Sequence, residues 1–155
     1  MAYRGEIEFQ TIAPVLSRIL AFDCFVYNDD RHLNNYLFRQ SRNGWIVLAF
    51  DWSRAWMCHG FPPQYPPFHA KQKTLIAHRY LRNRFGNFVD NTSIDSVLDK
   101  IAAIDDNTVE NIVRGHPEVW LTDSDKDIML SWWRSNERLD RILAIKKGIS
   151  DGSYL

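Results

Sequence analysis

Within Asn28-Asp29-Asp30-Arg31-His32-Leu33-Asn34-Asn35 lies an Asp and, five positions on, an Asn; Asp51 follows sixteen residues after Asn35, at the end of the apolar run Trp45 to Phe50. Phosphoryl transfer from ATP asks for few side chains: a carboxylate to orient the acceptor hydroxyl, and an amide and a second carboxylate to hold Mg²⁺ against the phosphates. Asp30 is the candidate for the first role, Asn35 and Asp51 for the second. Two oxygen ligands suit Mg²⁺ when substrate phosphates complete its shell. A plainer reading stands beside this one, since Asn and Asp also favour turns by bonding their own backbone.

The intervening residues supply a mechanical reason for the spacing. Tyr36 to Arg39 reads as a short strand, Gln40 to Gly44 as a polar turn and Trp45 to Phe50 as a returning strand, so the hairpin carries Asp51 back beside Asn35.

On these residues the chain resembles a family. Asp30-Arg31-His32-x-x-Asn35 with the later Asp51 is similar to the catalytic core of HipA-like kinases, and more distantly to the loop of phosphatidylinositol kinases. Ile112 to Leu121 and a closing helix with Arg138 and Leu139 resemble the tail of such a domain, so the likeness spans about 12–145. The resemblance implies Asp30 as catalytic residue with His32 supporting its loop, Asn35 and Asp51 as metal and nucleotide ligands, Mg²⁺ and ATP as cofactors, and a protein Ser/Thr hydroxyl as acceptor. It also admits an antitoxin-like partner. Asp51-Trp52-Ser53 departs from the Asp-Phe-Gly of typical protein kinases; the ligand is kept, but a kinase-style mobile switch does not follow.

A complete kinase covers the phosphates with a glycine-rich loop and reaches them with a lysine, both before the catalytic loop. Here only Gly5 precedes Asp30, and the first lysine is Lys71. The expected fold is therefore a mainly α (α+β) protein-kinase-like C-terminal lobe, 1–155 as one domain without its N-lobe, with one small β-hairpin at the catalytic loop. Nucleotide binding should be weak or dependent on a partner carrying the N-lobe, or on a second copy of the chain. A non-catalytic interaction module derived from such a lobe is the alternative.

Composition narrows the classes. Nineteen basic residues balance nineteen acidic ones, which gives no net charge to draw the chain to nucleic acid or an anionic membrane. A basic helix expected over Lys71 to Phe85 is the one feature that invites a nucleic-acid reading; a solvated face is preferred for it. No apolar run is long enough to span a bilayer and no leader resembles a signal peptide, so a cytoplasmic protein is expected. Six Trp, six Tyr and nine Phe supply area for a core or an interface. Two cysteines give no disulfide framework, and Cys58-His59 with His69 lack zinc-site spacing.

Along the chain, a first helix is expected from about Pro14 to Tyr27, opening at Pro14 and delivering the loop. Phe61 to Phe68 reads as a proline and aromatic loop, either an acceptor platform or a rigid surface strap. Ser93 is expected to cap a helix, a short one to run from about Asn107 to Arg114, and a single long one to start at Thr122 with Ile128, Trp132, Leu139, Ile142 and Leu143 buried, Met129 and Trp133 widening that side, and Asp140 and Arg141 solvated. Residues 146–155 are expected to fray.

Overall fold

The computed structural model describes residues 9–56, Phe61, Pro67, 73–87 and 89–154. Most of the proline and aromatic loop, with Cys58, His59 and His69, lies outside the described residues. Six α-helices and one two-stranded antiparallel sheet are described: α1 (Phe9–Phe25), β1 (Tyr36–Ser41), β2 (Gly44–Ala49), α2 (Lys73–Phe85), α3 (Asn91–Ala102), α4 (Asp106–Arg114), α5 (Asp123–Arg134) and α6 (Asn136–Ser150). The fold is thus mainly helical with a small hairpin. Among the described residues no helix is long and apolar enough to cross a membrane.

The apolar breadth of α1 puts it at the centre, where it packs against β2, α2, α3 and α6. Its helix starts earlier than the sequence suggests, at Phe9, and Pro14 sits inside it. Proline removes a single N–H, and burial of Ile12, Ala13 and Leu16 on either side outweighs that loss. Leu20, Ala21, Cys24 and Phe25 continue into a core shared with Ile94 and Leu98 of α3, Trp132 and Trp133 of α5, and Ile142 and Ile145 of α6. On the other side, Ile12 and Leu16 meet Tyr36 of β1, Val47 of β2 and Leu81 of α2.

The hairpin pairs Tyr36 with Ala49 and Ser41 with Gly44, leaving Arg42 and Asn43 as the two-residue turn. Gly44 takes a φ of 118°, which side chains other than hydrogen strongly disfavour.

Further along the chain local caps set the helix ends, and two of them differ from expectation. Asp90, not Ser93, caps α3: its carboxylate accepts from Thr92 N (3.1 Å) and from the Ser93 hydroxyl (2.8 Å). Asp105 caps α4 through Thr108 N (2.9 Å). The expected long last helix is two helices, because Ser135 turns extended (φ −79°, ψ 164°), ends α5 and caps α6 through Glu137 N (3.3 Å). The break changes which residues are inside: Ile128, Leu139 and Leu143 are exposed, while Leu130, Ile145 and Ile149 join Trp132, Trp133 and Ile142 in burial. Residues 146–150 do not fray; α6 runs through them, and Tyr154 folds back with its N–H on Gly148 O (3.0 Å).

Arg141, expected to be solvated, is buried and caps the end of α1. Its guanidinium donates to Phe25 O and Cys24 O, both at 2.8 Å, and burial lowers its pKa to about 10. Arg138 does the same for α3, reaching Ile101 O and Ala102 O at 3.3 Å while stacking on Trp133. Cations on orphan carbonyls satisfy both the hydrogen bonds and the dipole of a helix C-terminus.

On α2, His78 is buried with its Nε2 3.4 Å from the Tyr36 hydroxyl, and burial pushes its pKa down to about 4. The folded chain therefore keeps His78 neutral where the unfolded chain would protonate it, so acidification from pH 6.5 towards 4 favours unfolding. Wild-type stability should fall by about 2–3 kcal/mol more than that of His78→Gln between pH 7 and pH 4.5, read from urea denaturation at each pH.

Candidate active site

The sequence from Tyr27 to Trp52 builds a loop, a 3₁₀ turn over Leu33–Asn35 and the hairpin, all hung from the end of α1. Arg31 organises it. Its guanidinium forms a bidentate pair with Asp23 in the last turns of α1 (Nε to Oδ2 and Nη2 to Oδ1, both 2.8 Å), and neither side chain is exposed to solvent. Nη1 donates to Phe50 O and reaches Asn35 O at 3.5 Å. Phe50 N donates to Asn35 O at 3.2 Å. One side chain thereby joins the backbone at Asn35 to the residue before Asp51, and the expected approach of these two chain segments is present.

Asp51 is held from its other flank as well. Trp52 lays its indole 4.7 Å from the Arg31 guanidinium, edge-on to Phe22, and donates Nε1–H to Asp23 Oδ1 (3.1 Å). Asp51 itself has φ 64°, a left-handed conformation uncommon outside glycine, and Tyr27 at the head of the loop has φ 51°. Such conformations persist where the surroundings over-determine them. Asp51 is exposed; Ser53 N and Oγ donate to its Oδ1 at 3.2 and 2.6 Å and hold its carboxyl below the ordinary range. Oδ2 accepts no hydrogen bond among the described residues.

Asn35 is buried, and its Nδ2 donates to Asp30 O at 3.3 Å. That bond fixes which end of the amide is the oxygen and leaves Oδ1 unused among the described residues. Asn28 accepts from Asp30 N (3.3 Å) and donates to Asp23 Oδ1 (3.1 Å), so the backbone on both sides of Asp30 is tied. Asp30 is partly exposed, and Lys73 at the start of α2 donates Nζ–H to its Oδ1 at 2.6 Å, which keeps its carboxyl below the usual value.

The His32 side chain makes no hydrogen bond among the described residues; its positive form is close enough to lower the pKa of both Asp30 and Asp51. The bonds that hold the loop come instead from Arg31, Asn28 and Thr74, whose hydroxyl accepts from Arg31 N (3.1 Å) and donates to Asn28 O. Among the described residues no cluster of three or more His, Cys, Asp or Glu side chains is placed to hold a metal. Two oxygens of the predicted ligands, Asn35 Oδ1 and Asp51 Oδ2, accept no hydrogen bond among the described residues; an amide and a carboxylate oxygen are donor types that suit a hard cation.

Sequence reasoning passes over Asp23, Trp52, Lys73 and Thr74. Asp23 carries a signal, a lone charge in an otherwise apolar turn of α1; Lys73 and Thr74, 43 residues from the groups they touch, carry none. No family model, no curated protein and no solved structure matches this chain.

Removing Arg31 leaves a buried carboxylate without its cation. Arg31→Met should lower the free energy of unfolding by about 3–5 kcal/mol in urea, and Asp23→Leu in the same chain should recover part of that loss.

Proposed function

We propose that this chain is the catalytic lobe of an ATP- and Mg²⁺-dependent phosphotransferase of HipA-like kind, acting on a Ser/Thr hydroxyl of a protein. The observation that carries this reading is the lock around Arg31: it ties the backbone at Asn35 to Phe50, next to Asp51, while the Asn35 amide grips the carbonyl of Asp30. Asp30, anionic near neutral pH, accepts the proton of the acceptor hydroxyl and orients its oxygen. Asn35 Oδ1 and Asp51 Oδ2 are the oxygens that would hold Mg²⁺, which when bound offsets charge on the phosphates.

The partner expected to complete the site has an apolar surface to meet. A groove of about 450 Å³ between α1, β2 and α3, lined by Val15, Ile19, Phe22, Val47, Trp52 and Val97, opens beside Asp51. Leu48 and Phe50 are half exposed along the same hairpin. That surface also favours a second reading, an interaction module that keeps the lobe without the chemistry. A nucleic-acid role is less favoured, because on α2 Lys73 is engaged with Asp30 and His78 is buried.

In any assembly that shows transfer, Asp30→Ala should lower turnover by about 10²–10⁴-fold, as for loss of a positioned acid–base group. Asp51→Asn should chiefly weaken Mg²⁺-dependent nucleotide binding, measured calorimetrically. Equal turnover of wild type and Asp30→Ala in a radiolabelled transfer assay removes the enzymatic reading and leaves the interaction module.

A further inference from the structure

The first turn of α2 is built into the Asp30 loop. Lys73 N donates to Asp29 O (3.0 Å), and Thr74, almost fully buried, bridges Asn28 O and Arg31 N through its hydroxyl. These bonds straddle Asp30, so the backbone of Lys73 is held in register with it. The Lys73–Asp30 contact at 2.6 Å is then a consequence of how the loop is anchored, unlike a surface pair formed by two free side chains. Two thirds of the Lys73 side chain remains open to solvent. An ammonium has three donors, and Asp30 Oδ1 takes one. Of the other basic side chains near Asp30, Arg54 lies 3.5 Å from Asp29 and His32 comes from the loop itself.

Resting on the phosphotransfer reading, we infer that Lys73 is the phosphate-facing cation of the site, bound to Asp30 before nucleotide arrives and shared with the terminal phosphoryl oxygens afterwards. Distance carries the argument. An acceptor oxygen sits about 2.6–3.2 Å from the carboxylate that takes its proton, and about 3–3.5 Å from the phosphorus it attacks. The terminal phosphorus therefore lies within about 7 Å of Asp30. Lys73 Nζ, 2.6 Å from that same carboxylate, is in reach of its oxygens.

In the transfer, a bond forms from the acceptor oxygen to the terminal phosphorus. The bond from that phosphorus to the bridging oxygen breaks, and its electron pair leaves with ADP. The hydroxyl proton passes to Asp30, and Lys73 keeps all its protons and moves only its hydrogen bonds. Lys73 thus brings its ammonium to the site from the C-terminal side of Asp30.

The test is titration of the full chain with Mg²⁺-ATP and, separately, Mg²⁺-ADP, followed by amide NMR so that weak binding is measurable, for wild type, Lys73→Met and Lys73→Arg. The side chain is exposed, so the variants should fold; thermal melting checks this. Wild type should prefer ATP over ADP by about tenfold, the scale of one charge-assisted bond to the terminal phosphate. Lys73→Met should abolish that preference while leaving ADP affinity within about twofold, and Lys73→Arg should retain most of it. A preference unchanged in Lys73→Met, or absent from a wild type that binds both nucleotides, overturns the role of Lys73 alone. A wild type that binds neither nucleotide overturns this inference, which needs Lys73 to face phosphate in the chain as it stands; the phosphotransfer reading is then decided separately, by the Asp30→Ala comparison in an assembly that shows transfer.

Discussion

A buried ion pair between Asp23 and Arg31 is the constraint around which the rest of the site is arranged. Two charges withdrawn from water are tolerated only when their remaining hydrogen-bonding capacity is met. The Asp23 carboxylate accepts four bonds: two from Arg31, one from the Asn28 amide and one from the Trp52 indole. Even so, burial pushes its pKa above the ordinary value, while the pull of Asp23 raises that of Arg31 despite its own burial. A pair with this balance is better understood as a device for position than for stability. Each group recruited to satisfy it brings a segment of chain: Asn28 the head of the loop, Trp52 the residues after β2, and Arg31 the carbonyls at Asn35 and Phe50.

The end of α1 explains why the charges sit there. A helix C-terminus carries partial negative charge and orphan carbonyls, a setting unfavourable to a carboxylate such as Asp23 and favourable to cations. Two arginines answer it from opposite ends of the chain. Arg31 neutralises Asp23, and Arg141 covers the carbonyls of Cys24 and Phe25. Between them, the chain leaves the helix through the left-handed Tyr27, whose ring lies 6.0 Å from Arg141.

Local pattern made part of this legible and distance hid the rest. The hairpin and its two-strand register follow from alternation and a polar turn, so the approach of Asn35 to the end of β2 could be read from the sequence. Asp30 in a turn held by Asn28 follows from residue type. Arg141 looked like a solvated neighbour of Asp140 because nothing near it reveals that a helix end more than a hundred positions earlier needs a donor. The break at Ser135 was masked by a different effect: apolar residues on both sides continue a helical period, and only the cap geometry of Ser135 with Glu137 shows that the period belongs to two helices. Thr74 and Lys73 sit in a helix whose basic composition suggests solvent, while its first turn is spent on the loop.

The reach of Arg141 has a bearing on how the molecule is made. Its bonds to Cys24 and Phe25 close sequence separations of 117 and 116 residues, among the most non-local contacts a chain of this length can form. Contacts of that kind are slow to form because the loop they close must be collapsed first. During synthesis, α1, the loop and the hairpin leave the ribosome long before α6 does, with the carbonyls at the end of α1 still bare. The candidate site is therefore an early segment that acquires its final support late, and the nascent chain must keep its apolar first helix from other partners until the last helix arrives.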